Sequence, residues 1–277
     1  MMTVCPSFLS GILLLSALTC AAAQDTIIVG AIAVIGMNKE NPDGFALLAL
    51  ETISAGNRVK VTDNGWTSST GFNNIEGTLQ FDVTADISAG MVWTFEEGDN
   101  STYTTDYGSW TVEENFKLAR GGDQILVYTG ADTAPYFIYG ASNGWTESPS
   151  DSSSSQLPDQ LISPKAFVTL PNDVNSKYMS SSPHAGTMDE LLKDINDATN
   201  WQGSNDTRFN LHSFVQFNVT YEDDSIDMVS ESGIIAIVLV CLLVIFGALL
   251  NEIVACKKEK SRKELLHKGD DEDESKL

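Results

Sequence analysis

The 277-residue chain carries 38 Asp and Glu against 16 Lys and Arg, a formal net charge of −22. Such a surface repels phosphate backbones, which excludes nucleic acid as a partner and leaves cations, basic partners or plain solubility as its uses. The four cysteines are Cys5, Cys20, Cys241 and Cys256, so residues 24–232 contain none and any core they form does without disulfides.

The chain opens on an apolar run, Phe8 to Leu18, followed by Ala21, Ala22 and Ala23. A short apolar segment ending in small residues is what a signal peptidase accepts, so residues 1–23 read as a signal peptide. Residues 24–222 read as one mainly β ectodomain with a single short helix. Its expected strands are Thr26 to Ile35, Phe45 to Leu50, Arg58 to Thr62, Thr78 to Val83, Met91 to Phe95, Gln124 to Tyr128, Tyr136 to Tyr139 and Ala166 to Leu170. Arg58 to Val61 and Gln80 to Val83 alternate with period two, and NPDG, SAGN, DNG, ARGGD and SNG supply turns. Many short strands with polar turns predict a sandwich or barrel.

Two short patterns echo. Ile53-Ser54-Ala55-Gly56 and Ile87-Ser88-Ala89-Gly90 each feed a strand, and Asn64-Gly65-Trp66-Thr67 returns as Asn143-Gly144-Trp145-Thr146. Asn-Gly with positive φ lets each Trp fold over a sheet edge and cap the core. Ser150 to Ser155 is all Ser and Asp and reads as a flexible surface loop. Thr187-Met188-Asp189-Glu190 is a capping box ahead of Leu191, Leu192 and Ile195, which predicts a helix. Leu211 to Tyr221 alternates and reads as a last strand.

Residues 223–232 form an acidic stalk before the uninterrupted apolar run Gly233 to Leu250. At 1.5 Å per residue this run approaches the thickness of a bilayer core, about 30 Å, and residues 233–255 read as a transmembrane helix. Lys257, Lys258, Lys260, Arg262 and Lys263 beyond it place residues 256–277 in the cytoplasm. The expectation is a type I single-pass protein of the plasma or endosomal membrane. Its basic tail suits anionic lipid or a sorting adaptor (Leu265-Leu266), and Cys256 is a lipidation candidate. The terminal Ser275-Lys276-Leu277 matches a peroxisomal address but stands on a membrane-bound tail. Sequons at Asn100, Asn205 and Asn218 fit a glycoprotein.

The ordered series GAIAVIGMNKENPDGFALLAL, ISAGNRVKVTDNGW, GF, EGTLQF and GGDQILVY, with LPDQL and Asn200-Trp201 later, resembles an uncharacterised extracellular domain common in bacterial secreted and surface proteins. The likeness spans most of residues 27–202. It extends distantly to the lamin-tail fold, an immunoglobulin-like sandwich. The resemblance implies such a β-sandwich at a cell surface, and no catalytic activity comes with it.

The residues themselves point to three uses. The ectodomain has two histidines, His184 and His212, and lacks H-E-x-x-H and G-x-S-x-G, so an enzyme is not the expectation, with a membrane-tethered hydrolase the last alternative. Asp63, Asn64, Glu76 and Asp123 offer hard oxygen ligands beside turns, as calcium or another cation needs, although Asx residues in turns more often bond their own backbone. Trp66, Trp110 and Trp145 are candidates for contact with a glycan or protein partner. The leading expectation is adhesion or ligand recognition; the alternative is an endocytic receptor that captures a metal ion or metal chelate.

Overall fold

The computed structural model describes residues 26–73, 76–98, 102–112, 116–179 and 181–221, with residues 254, 257 and 258 beyond. The signal segment, the stalk, Asn100 and Cys256 lie outside the described residues, as does the expected transmembrane segment 233–255 apart from Val254. Among the described residues no helix is long and apolar enough to cross a membrane. In the C-terminal unit, residues 223–277, Val254, Lys257 and Lys258 are helical.

The N-terminal unit is mainly β. Its strands are β1 (Ile32–Asn38), β2 (Gly44–Ala49), β3 (Arg58–Thr62), β4 (Trp66–Thr67), β5 (Gly71–Phe72), β6 (Thr78–Val83), β7 (Val92–Glu96) and β8 (Thr102–Thr105). They continue with β9 (Gly108–Val112), β10 (Gln124–Ala131), β11 (Ala134–Ser142), β12 (Phe167–Thr169), β13 (Asn175–Tyr178), β14 (Ala185–Gly186), β15 (Trp201–Ser204) and β16 (Asn218–Val219). Helix α1 (Asp159–Ile162) follows β11, and α2 (Met188–Ile195) lies between β14 and β15.

Two sheets carry the core. One runs β15-β13-β1-β2-β7 and the other β12-β11-β10-β3-β6-β9-β8, and β4-β5 and β14-β16 are small two-stranded additions. Pairing within the large sheets is antiparallel except for β11 with β12. The sheets face each other through aromatic side chains: Phe45 of β2 meets Trp110 of β9 edge-on at 5.3 Å, and Phe81 of β6 meets Trp93 of β7 at 6.1 Å. The apolar core is drawn from residues between Ile27 and Phe217, so the unit closes its own interior.

The alternation in β3 and β6 sets their register. Val59 lies opposite Phe81 and Val61 opposite Leu79, which puts all four on the core face. β1 differs, because all seven of its residues are buried. Its inner face meets the other sheet, and its outer face lies under the C-terminal segment: a Cβ on Gly36 would stand 2.5 Å from Leu211. Helix α2 forms as its capping box predicts. Thr187 Oγ1 accepts the Glu190 N–H, Glu190 accepts the Thr187 N–H, and Leu191, Leu192 and Ile195 are buried.

Four expectations change. The first strand starts at Ile32 rather than Thr26, because Gly30 turns the chain at φ +85° and donates to Ile138 O. Residues 211–221 are not one strand: Asn210 Oδ1 accepts the His212 N–H, which winds Leu211–Ser213 into a 3₁₀ turn and leaves only β16 extended. Neither Gly65 nor Gly144 has positive φ. Gly65 is needed for space instead, since the Ser154 carbonyl occupies the place of its Cβ. The serine tract is no free loop either, because Ser155 is fully buried.

Both echoes turn out to be contacts. Ile53 and Ile87 exchange two backbone hydrogen bonds of 2.9 Å, so the ISAG copies pair with each other. The two NGWT copies grip one segment from either side. Trp66 N donates to Ser155 Oγ (3.0 Å), and Thr146 N donates to Ser155 O (3.0 Å).

Candidate binding end of the sandwich

Three aspartates stand where strands meet loops: Asp43 just before β2, Asp63 just after β3 and Asp123 just before β10. All three are buried. The segment Lys117-Leu118-Ala119 crosses them and presents three consecutive backbone N–H groups. Lys117 N donates to Asp63 Oδ2 (2.7 Å), Leu118 N to Asp43 Oδ2 (2.8 Å) and Ala119 N to Asp123 Oδ2 (2.6 Å). The other oxygen of Asp63 accepts Gly77 N, and that of Asp123 accepts Gln124 N, both at 2.8 Å. Phe116 anchors the segment by packing on Phe45 and Phe95. Five backbone N–H groups on three carboxyls thus fasten this loop to the ends of β2, β3 and β10.

Asn64 completes the connection. Its Nδ2 donates to Thr62 Oγ1 and Glu76 O, and its Oδ1 accepts Glu76 N (3.0 Å). This is local backbone satisfaction of the kind Asx residues make in turns. Among the described residues no group of three or more His, Cys, Asp or Glu is placed to hold a metal ion. The carboxylates of Asp63 and Asp123 spend their oxygens on backbone N–H groups, so the four predicted ligands do not converge on one point.

Burial sets the electrostatics here. It pushes Asp63 up to about 7 and Asp123 up to about 8, against the pull of their N–H donors, with Glu76 adding to both rises. Asp43 rises to about 6 for the same first cause. Glu76 is raised by burial, opposed by the Ser152 hydroxyl. Beside Asp123 lies Lys39, whose Nζ donates to Asn143 Oδ1. Burial lowers Lys39 to about 8, and Asp123 and Asp173 pull it back up.

The serine tract closes this end. Gln124 Nε2 donates to the carbonyls of Asp63 and Ser152, and Gln156 N donates to Trp66 O at 2.8 Å. Gln124 is fully buried, and among the described residues neither its Oε1 nor Glu76 Oε2 has a hydrogen-bond donor.

The predicted aromatic contacts separate. Trp110 is 0% exposed and is corrected from contact residue to core: it packs against Phe45, Phe81 and Phe95 and donates its indole N–H to Thr94 O (3.1 Å). Trp66 is half-buried against Phe72 and Phe137, at centroid distances of 5.2 and 4.9 Å. Trp145 is half-buried beside Phe167. Asn205 and Asn218 are exposed, in keeping with a sequon's need for access. Asn205 keeps its amide engaged, with Nδ2 on Asp173 Oδ1 (3.0 Å) and Oδ1 on Val174 N (3.0 Å).

Sequence reasoning missed Asp43, Gln124, Lys39 and the serine tract as parts of this end. A usable signal for the first two was their position, since NPDG and GGDQ each set an Asp against the start of a strand, as TDNG does at the end of one.

Comparison with protein-family models, with curated proteins and with solved structures gives no match to this chain.

Proposed function

We propose that the chain is a type I single-pass surface glycoprotein whose acidic sandwich recognises an extracellular ligand or partner. In this reading it is a binding protein rather than an enzyme, and its sandwich belongs with the immunoglobulin-like or lamin-tail-like domains of secreted proteins. The observation that carries it is the pinned loop end: residues 61–73 with 76–77, 116–124 and 143–156 are far apart in sequence and fastened together by side chain to backbone bonds. Loops made rigid on a sandwich present side chains without an ordering cost at the moment of binding, and this is where recognition concentrates. The flanks of the apolar run, acidic before and basic after, support the orientation.

Expression of the full chain in a eukaryotic host tests the setting. An epitope after Gln24 should be reachable by antibody on intact cells, one after Leu277 only after permeabilisation, and endoglycosidase should lower the apparent mass. Binding of the labelled ectodomain to cells and to immobilised glycans tests the task. Exposed substitutions at the pinned end, Thr70→Asp and Glu147→Lys, should weaken a saturable signal. A signal that they leave unchanged would move recognition elsewhere on the sandwich.

A further inference from the structure

We propose that the pinned end holds one hard divalent cation of the calcium class, bound through Glu76 Oε2 and Gln124 Oε1. The argument starts from oxygens without donors. Gln124 is fully buried, and both amide hydrogens are directed by its two carbonyl partners, Asp63 O and Ser152 O. That fixes which way the amide faces and leaves Oε1 as a buried acceptor with nothing to accept. Glu76 meets the same residue through the Ser152 hydroxyl, and its Oε2 is likewise buried and without a partner among the described residues. Buried acceptors are satisfied in folded proteins as a rule, and an orphan one calls for an explanation.

The two orphans share Ser152 as a neighbour, and each side chain is tied to the Asp63-Asn64 turn. Gln124 reaches it through Asp63 O, and Glu76 through the reciprocal backbone bonds with Asn64. Further acceptors stand beside them, the carbonyls of Asp63 and Ser152, and the Glu76 charge adds to the rise of both Asp63 and Asp123. What fits such a place must bring positive charge or donors. Amide, carboxylate and carbonyl oxygens without nitrogen or sulfur select hard cations, and calcium tolerates the irregular geometry of such a mixed set. Asp63 and Asp123 are not ligands here, because N–H groups engage their oxygens. They fasten the loop that frames the site, while Glu76 and Gln124 supply coordination, completed by water.

This site lies at the proposed recognition end but rests on that reading only for its setting. Its test uses the isolated sandwich with no partner, so either idea can fail alone. The sandwich is a compact unit with its own core, so residues 24–222 serve as the material. Calcium binding is followed by titration calorimetry after chelation, and by native mass spectrometry. The expected result is one saturable Ca²⁺, a melting temperature raised by roughly 5 °C at 100 times Kd, and about tenfold or greater loss of affinity in Glu76→Gln, since ligand charge tunes such sites. Glu76→Gln is isosteric and removes the charge of a half-buried side chain, so it should fold. Uptake of no ion by the wild type, or weak non-saturable uptake that Glu76→Gln leaves unchanged, would overturn the site. The second pattern is that of a diffuse acidic surface.

Discussion

Raising the pH should weaken the sandwich, in contrast to the usual behaviour of a carboxylate-rich protein. The perturbation is pH alone, from 5 to 8, on residues 24–222 in EDTA. Asp63 and Asp123 have folded values of about 7 and about 8, raised from an ordinary 3.8 chiefly by burial. A raised folded value means that the native state holds protons that the unfolded chain has released. The stabilisation is therefore complete below the unfolded value and is lost as pH rises through the folded values. Each group contributes a slope of up to about 1.4 kcal/mol per pH unit, so the pair can cost as much as about 2.7 kcal/mol per unit between pH 5 and 7. Asp43, raised to about 6, acts in the same direction at the lower end of this range. Lys39, lowered to about 8, opposes the trend only above that pH. Urea unfolding at four pH values reads the slope directly, with roughly 1 to 3 kcal/mol per unit expected after opposing local interactions. Asp63→Asn should lower stability at pH 5, because its amide hydrogens face the N–H of Gly77 or Lys117, and should flatten the slope. Stability that is level or rising between pH 5 and 7, or a slope untouched by Asp63→Asn, would refute the reasoning.

Other substitutions separate fold from site. Trp110→Ala removes a fully buried indole and its bond to Thr94 O, and should cost about 3–5 kcal/mol in denaturant unfolding. Thr187→Ala removes the cap of α2 and should cost about 1 kcal/mol, with Thr187→Ser restoring most of it. Gly65→Ala drives a methyl into the Ser154 carbonyl, so amide exchange should rise at Trp66 and Gln156 while the paired strands β3 and β6 stay protected.

Strands such as β3 and β6 were legible because one face is buried and one is not, so burial writes itself into the sequence as alternation. β9 was not, because Ser109 and Thr111 surround its one large buried residue, Trp110, and read as loop. The start of β1 escaped for the opposite reason: the apolar run continues through Gly30, and only φ marks the turn. Helix α2 was legible because its capping box is local. The site divides in the same way. Asp63, Asn64, Glu76 and Asp123 stood out by type and turn context, whereas Gln124 matters only through its partners 61 and 28 residues away. The serine tract looked free because its composition is that of a solvated loop. Its fastening to Trp66 and Gln124 is a property of the folded chain.

The buried aspartates and the proposed cation make one coupled system, because protons and Ca²⁺ compete for the same negative charge. In chelator the protons are the better counter-charge, and stability falls as pH rises. With the ion present, the folded state gains most where Glu76 and its neighbours are ionised, since metal binding releases protons. Saturating Ca²⁺ should therefore flatten or reverse the slope seen in EDTA, and the gain in stability from the ion should grow between pH 5 and 7. The backbone clamp feels the change in charge: Asp63 and Asp123 accept an N–H on each oxygen, so a proton on either oxygen weakens one bond, whereas Asp43 accepts Leu118 N through Oδ2 alone and bonds it charged or neutral.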